Sequence, residues 1–119
     1  MPLNMHVVEP EITVVQLSGH LNLGNLLMDM EHKIKKVVEG GARKLAFDVA
    51  ELNYIDSAGI GMLVSVNGVI GQAGGVMRIA GANGRVSQSF AVVHMEQIIP
   101  LDENLEISIA KFSSAQAAG

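Results

Sequence analysis

The segment Asn53-Tyr54-Ile55-Asp56-Ser57-Ala58-Gly59-Ile60-Gly61 carries the residues most able to do chemistry. Ser57 follows an apolar stretch and a short polar loop, and it opens a run without charge that extends to Met77. A hydroxyl in that place can serve as a nucleophile or simply cap a helix. A hydrolase elbow reads G-x-S-x-G, but Ile55 stands two residues before Ser57, so half of that motif is missing. Hydrolases of that class order their triad as serine, acid, histidine. His94 is the only histidine after Ser57, and no Asp or Glu lies between the two. Nucleophilic hydrolysis is therefore disfavoured.

Other chemistries fare no better. A phosphate-cradling G-x-x-x-x-G-K-[ST] loop is absent, since no Gly-Lys pair occurs. Gly59-Ile60-Gly61 starts a dinucleotide fingerprint, but Val64 replaces its third glycine. The histidines at 6, 20, 32 and 94 are scattered and show no H-x-x-x-H spacing. Cysteine is absent, which removes disulfides, thiolate catalysis and Cys-based metal sites. Neither a cofactor nor a metal is expected. Eight Lys and Arg stand against twelve Asp and Glu, for a net charge of −4, and aromatics make up only 3%. A nucleic-acid binder needs a basic footprint, so direct binding of nucleic acid is not expected.

The surrounding elements must position Ser57. The 119 residues suit one domain, 1–119, with a core over about 3–112 and a tail at 113–119 that should fray. Residues 3–8 and 11–18 read as two strands joined at Glu9-Pro10, and 20–23 as a loop. A helix should follow over about 24–39, with Leu26, Leu27, Met30, Ile34, Val37 and Val38 as its apolar stripe and Gly40-Gly41 as its stop. Residues 43–49 form a buried strand, ELNYID a loop, and 58–73 the uncharged helix. Strand 76–80, helix 85–94, a short strand at Ile98-Ile99 and a terminal helix capped by Asp102 complete the chain. The pattern predicts an α/β fold with a mixed, mostly parallel sheet of four to five strands, an N-terminal hairpin and about four helices.

The uncharged run is long enough to raise the question of a membrane span. Its polar residues, its many glycines and the stop at Gly74-Gly75 favour a helix that is buried or faces a partner. The N-terminal residues show neither a basic region nor an apolar core of a signal peptide, so the cytoplasm is the expected location. On a helical projection, Ile60, Leu63, Val64, Asn67 and Ile70 should meet the sheet. Gly61, Ser65, Gly68 and Gln72 fall on the other side, flanked by Met62 and Val69. A solvated face usually carries Lys and Glu. This one is small, flat and neutral, which suits docking of another surface and equally suits dense packing within the domain or against a second copy.

YIDSAGIGML, preceded by an FDV strand and followed by a GG turn and a short strand, resembles the STAS domain. It is similar more narrowly to the bacterial anti-sigma factor antagonists, over nearly the whole chain. The resemblance implies a binding domain and not an enzyme. It implies phosphorylation on the serine after the Asp, Ser57, by a serine kinase of the histidine-kinase-like ATPase fold that doubles as anti-sigma factor. The unphosphorylated antagonist holds that kinase and releases sigma factor, and a serine phosphatase resets the switch. The implied partner surface includes Asn22, Asp56, Ser57, Ala58 and Gly59. It continues along the helix through Gly61, Met62, Ser65, Gly68 and Val69. Two departures stand out. Gly19-His20-Leu21-Asn22 carries Asn where the family often has Asp, and the helix after Ser57 has no Lys or Arg. STAS domains that are never phosphorylated, as adaptors in transport systems or stress-signalling assemblies, are the alternative. A homodimer is compatible with either reading.

Overall fold

The computed structural model describes the backbone of residues 2–118 and the side chains of residues 2–113. The chain opens with the hairpin β1 (Leu3–Val8) and β2 (Ile12–Leu21). It continues through α1 (Asn25–Glu39), β3 (Lys44–Ile55), α2 (Ser57–Gln72), β4 (Val76–Ala80) and α3 (Gly84–Val92). A 3-10 turn (Met95–Gln97), β5 (Leu101–Asp102) and α4 (Leu105–Ala118) follow. Five strands form one sheet in the order β1-β2-β3-β4-β5, antiparallel between β1 and β2 and parallel elsewhere. This is the single mixed α/β domain expected from the alternation of Val- and Ile-rich runs with helical stripes.

The two faces of the sheet bury different partners. Leu45, Phe47 and Val49 of β3 point into a large core shared with Leu27, Met30 and Ile34 of α1, Leu63 and Val66 of α2, and Val86 and Phe90 of α3. Ala46 belongs to a smaller cluster with Ile12, Val14 and Phe112, the last contributed by α4. Alternation along β3 explains the division, since successive side chains leave opposite faces. Helix α1 shows the expected stripe, with Leu27, Met30, Ile34 and Val38 buried. Leu26 is instead 55% exposed.

Several boundaries differ from the sequence reading. β2 runs on to Leu21, so His20 and Leu21, the first half of the proposed loop 20–23, are strand. ELNYI is the second half of β3, paired with β2 through irregularities between Gln16 and Ser18 and between Gly19 and His20. Ile98 and Ile99 follow the 3-10 turn instead of forming a strand, and β5 lies at Leu101–Asp102. Asp102 does not cap α4. Its carboxylate is buried among Arg78, Ser108 and Lys111, and Asn104 Oδ1 accepts the Ile107 N–H at 3.0 Å instead. The backbone of α4 continues to Ala118. The expected fraying involves side chains from 114 onward and Gly119, which lie outside the described residues.

Candidate functional site

The parallel pairing of β2 and β3 brings their C-terminal ends to one edge of the sheet. The turn after β2 therefore meets the start of α2. Asp56 joins them. Its backbone N–H donates to Leu21 O at 3.1 Å. Its Oδ2 accepts the Leu23 N–H at 3.0 Å, and its Oδ1 accepts the Gly59 N–H at 2.9 Å. The Gly59 bond makes Asp56 the N-cap of α2, with extended backbone at φ −103 and ψ −177. The N–H groups of Leu23 and then Gly59 hold its carboxyl below the usual carboxylate range. An ionised carboxylate with both oxygens engaged is a clamp, and it is poorly placed to deliver a proton.

This arrangement relieves Ser57 of the capping role. Ser57 is the first residue of α2 and is exposed. Among the described residues none bonds its hydroxyl. Its immediate neighbours are Ala58 and Gly59, so little bulk shields the oxygen.

Gly59 is buried for a structural reason. A Cβ there would stand 2.4 Å from Leu21 O and 2.7 Å from Ile55 Cγ1. Only glycine lets the first turn of α2 approach the end of β2 this closely, so Gly59 shapes the site without facing a partner. Met62 also requires correction. It is 2% exposed and belongs to the core, whereas Val64, expected against the sheet, is 36% exposed. The outer stripe of α2 is therefore Ser57, Gly61, Val64, Gly68 and Gln72. Ser65 is half-buried and its hydroxyl lies 3.4 Å from Glu31 Oε2, which also takes Lys35 Nζ at 2.6 Å. Val69 and Ala58 are half-buried and pack against the core. Asn22 is exposed beside Leu23.

Two features of this edge escaped the sequence reading. Leu23, bonded through its N–H to Asp56, is 77% exposed, and Met28 on α1 is 68% exposed. Leu23 adds apolar area beside the start of the stripe that includes Val64, and Met28 lies on the exposed face of α1 one turn before Glu31, the residue that meets Ser65 of α2. The second feature is an aromatic corner. His20 and Tyr54 are register partners whose rings meet edge-on at 5.8 Å. The Arg85 guanidinium of α3 lies 5.4 Å from the Tyr54 ring centroid. Arg85 brings to this edge a cation that α2 lacks. Reading ELNYI as strand would have shown Tyr54 on the face opposite Ile55.

A mixed five-stranded sheet with an N-terminal hairpin, and an exposed serine opening a neutral helix, define a small α/β domain with its candidate site at the start of α2. The STAS domain family matches residues 5–107. The chain belongs to the STAS domain family. Solved structures agree. The anti-sigma factor antagonist SpoIIAA in its unphosphorylated form is 18% identical, with a TM-score of 0.81, covering 94% of this chain and 96% of that one. The Bacillus cell fate determinant SpoIIAA in the phosphorylated form is also 18% identical, with a TM-score of 0.73 and coverages of 92% and 98%. A sulfate transporter family protein from Wolinella succinogenes is 12% identical, with a TM-score of 0.70 and coverages of 89% and 88%. At these identities the likeness establishes the fold. Among the described residues, no helix is long and apolar enough to cross a membrane.

Proposed function

We propose that this chain is an anti-sigma factor antagonist switched by phosphorylation of Ser57. In the unmodified state, the stripe of α2 with Leu23 and Met28 docks on a serine kinase of histidine-kinase-like ATPase fold that doubles as anti-sigma factor. Docking frees the sigma factor. The chain acts in the cytoplasm as ligand and phosphoacceptor, not as the enzyme. In the transfer step the Ser57 Oγ attacks the γ-phosphorus of kinase-bound ATP. ADP leaves, and the hydroxyl proton passes to a base on the kinase. A serine phosphatase hydrolyses the ester to restore the hydroxyl.

The observation that carries this reading is the exposed, uncommitted Ser57 hydroxyl beside an Asp56 that already does the capping. Phosphate at that position meets the positive end of the α2 dipole. Its charge, about −1.5 to −2 at pH 7, falls beside the ionised Asp56 and the exposed apolar Leu23. Binding must then desolvate an anion on a surface otherwise suited to apolar contact. Asn22 adds no further negative charge, and Arg85 offers the same edge a contact for an acidic group on the partner.

Intact-mass spectrometry after incubation with ATP and candidate kinases from the same genome tests the acceptor. One phosphate should add to the wild-type chain and none to Ser57→Ala. The variant should keep its fold, because Asp56 rather than Ser57 caps the helix. A full mass shift in Ser57→Ala contradicts the assignment. Tight kinase binding without any mass shift favours the constitutive adaptor.

A further inference from the structure

We propose that the chain forms a two-fold dimer by pairing β1 with β1 of a second copy, on the side of the domain away from α2. β1 is an edge strand, and among the described residues no strand lies on its outer side. It reads LNMHVV, with no Lys, Asp, Glu or proline, and its pairing with β2 runs without a bulge. Natural edges are usually blunted by such charges, prolines or irregularities. The other edge, β5, is only two residues long.

The hydrogen-bond pattern sets which groups are free. Ser18 donates to Pro2 O at 2.9 Å, which marks the pair Pro2 and Ser18 as hydrogen-bonded. In an antiparallel ladder such pairs alternate, so Asn4, His6 and Val8 bond inward to Gln16, Val14 and Ile12. Leu3, Met5 and Val7 then aim their N–H and C=O groups outward. These are also the apolar residues of the face that carries α1. An antiparallel partner centred on Met5 sets Met5 opposite Met5 and Leu3 opposite Val7 of the second copy. Every outward group is paired in that register, and Val7, 69% exposed in the single chain, is covered.

Helix α1 carries the same symmetry. Leu3 and Met5 line an apolar groove with Leu26, Asp29, Met30 and Lys33, and Val7 lines the next cavity with Val37. β1 and α1 thus run the same way, and the level of Met5 falls about midway between Leu26 and Val37. Asp29 and Lys33 straddle that level; within the single chain they form an ion pair one turn apart at 3.4 Å, and their side chains, 58% and 50% exposed, leave room for a second contact on each. A two-fold axis through Met5 brings the two α1 helices antiparallel, with Asp29 of each copy facing Lys33 of the other. Free edge, apolar alternation and charge order therefore share one axis, which selects a second copy as the occupant.

Sedimentation equilibrium of the full chain across the micromolar range tests the proposal. The wild type should be a dimer. Val7→Lys places a charge against Leu3 at both ends of the ribbon and should raise the dimer Kd at least about tenfold. Its circular dichroism should stay unchanged, because Val7 is already exposed. Lys33→Asp should also weaken the dimer, and adding Asp29→Lys in the same chain should restore it. A wild type monomeric throughout overturns the proposal. So does a dimer that tolerates Val7→Lys, or a paired swap that fails to restore what Lys33→Asp removed.

Discussion

Asp102→Asn is expected to lower thermal stability by about 10 °C or more, the largest effect of any single polar substitution in this fold. The Asp102 side chain is 0% exposed. Arg78 grips it with two bonds, Nε to Oδ2 at 2.7 Å and Nη2 to Oδ1 at 3.0 Å. Ser108 Oγ donates to Oδ2 at 2.5 Å, and Lys111 Nζ lies 3.0 Å from Oδ1. This carboxylate ties β4 and β5 to α4, the helix that covers the second face of the sheet. An amide keeps the shape but cannot neutralise a half-buried guanidinium. Removing one partner of a buried pair costs about 3–5 kcal/mol, and each kcal/mol moves the midpoint by a few degrees in a domain of this size. Arg78 above all holds the Asp102 carboxyl well below the usual carboxylate range. A depressed folded value means the stabilisation is fully present above the unfolded value, about 3.9, and is lost as pH falls below it. Melting from neutral to acid pH should show the wild type losing stability below about pH 4 and Asp102→Asn following a shallower curve. A midpoint unchanged by the substitution would show that the cluster is replaceable.

Gly59→Ala is expected to destabilise the domain by about 1–3 kcal/mol, against the usual benefit of alanine in a helix. Replacing glycine inside a helix normally gains about 0.5–1 kcal/mol. At Gly59 the new methyl would meet Leu21 O at 2.4 Å. Leu21 O is a backbone atom that already accepts the Asp56 N–H, so it cannot yield without moving the start of α2. The Asp56 bonds to Leu23 and Gly59 would then loosen, and Ser57 would shift with them. Gly61 and Gly68 serve as controls, because a Cβ at either meets nothing within 4 Å. Chemical denaturation should therefore show Gly59→Ala falling and Gly61→Ala and Gly68→Ala rising. A gain at all three positions would remove the close-approach argument.

Much of this architecture was legible in sequence. Alternating apolar runs and helical stripes located every helix and four of the five strands, and the D-S-A-G-I-G segment pointed to the helix start that the structure presents at the sheet edge. What stayed hidden has physical causes. ELNYI looks like a loop because Glu51 and Asn53 interrupt its apolar pattern, but β2 continues beside it and supplies the pairing. The orientation of α2 was misread by about one position because it is apolar or small all round. Such a helix gives periodicity little to choose between, and Met62 and Val64 exchanged places. β5 is too short to show a pattern, so Asp102 read as a cap. The bridge from Asp56 to Leu23 links residues 33 apart in sequence, a distance no local pattern reports.

The central claim is that a phosphate on Ser57 changes partner affinity through the docking face, without unfolding the domain. Isothermal titration of the kinase with unmodified and with stoichiometrically phosphorylated protein measures this directly. The account predicts that phosphorylation raises Kd at least about tenfold, or ~1.4 kcal/mol, with circular dichroism of the two forms alike. Equal affinities of the two forms would contradict it.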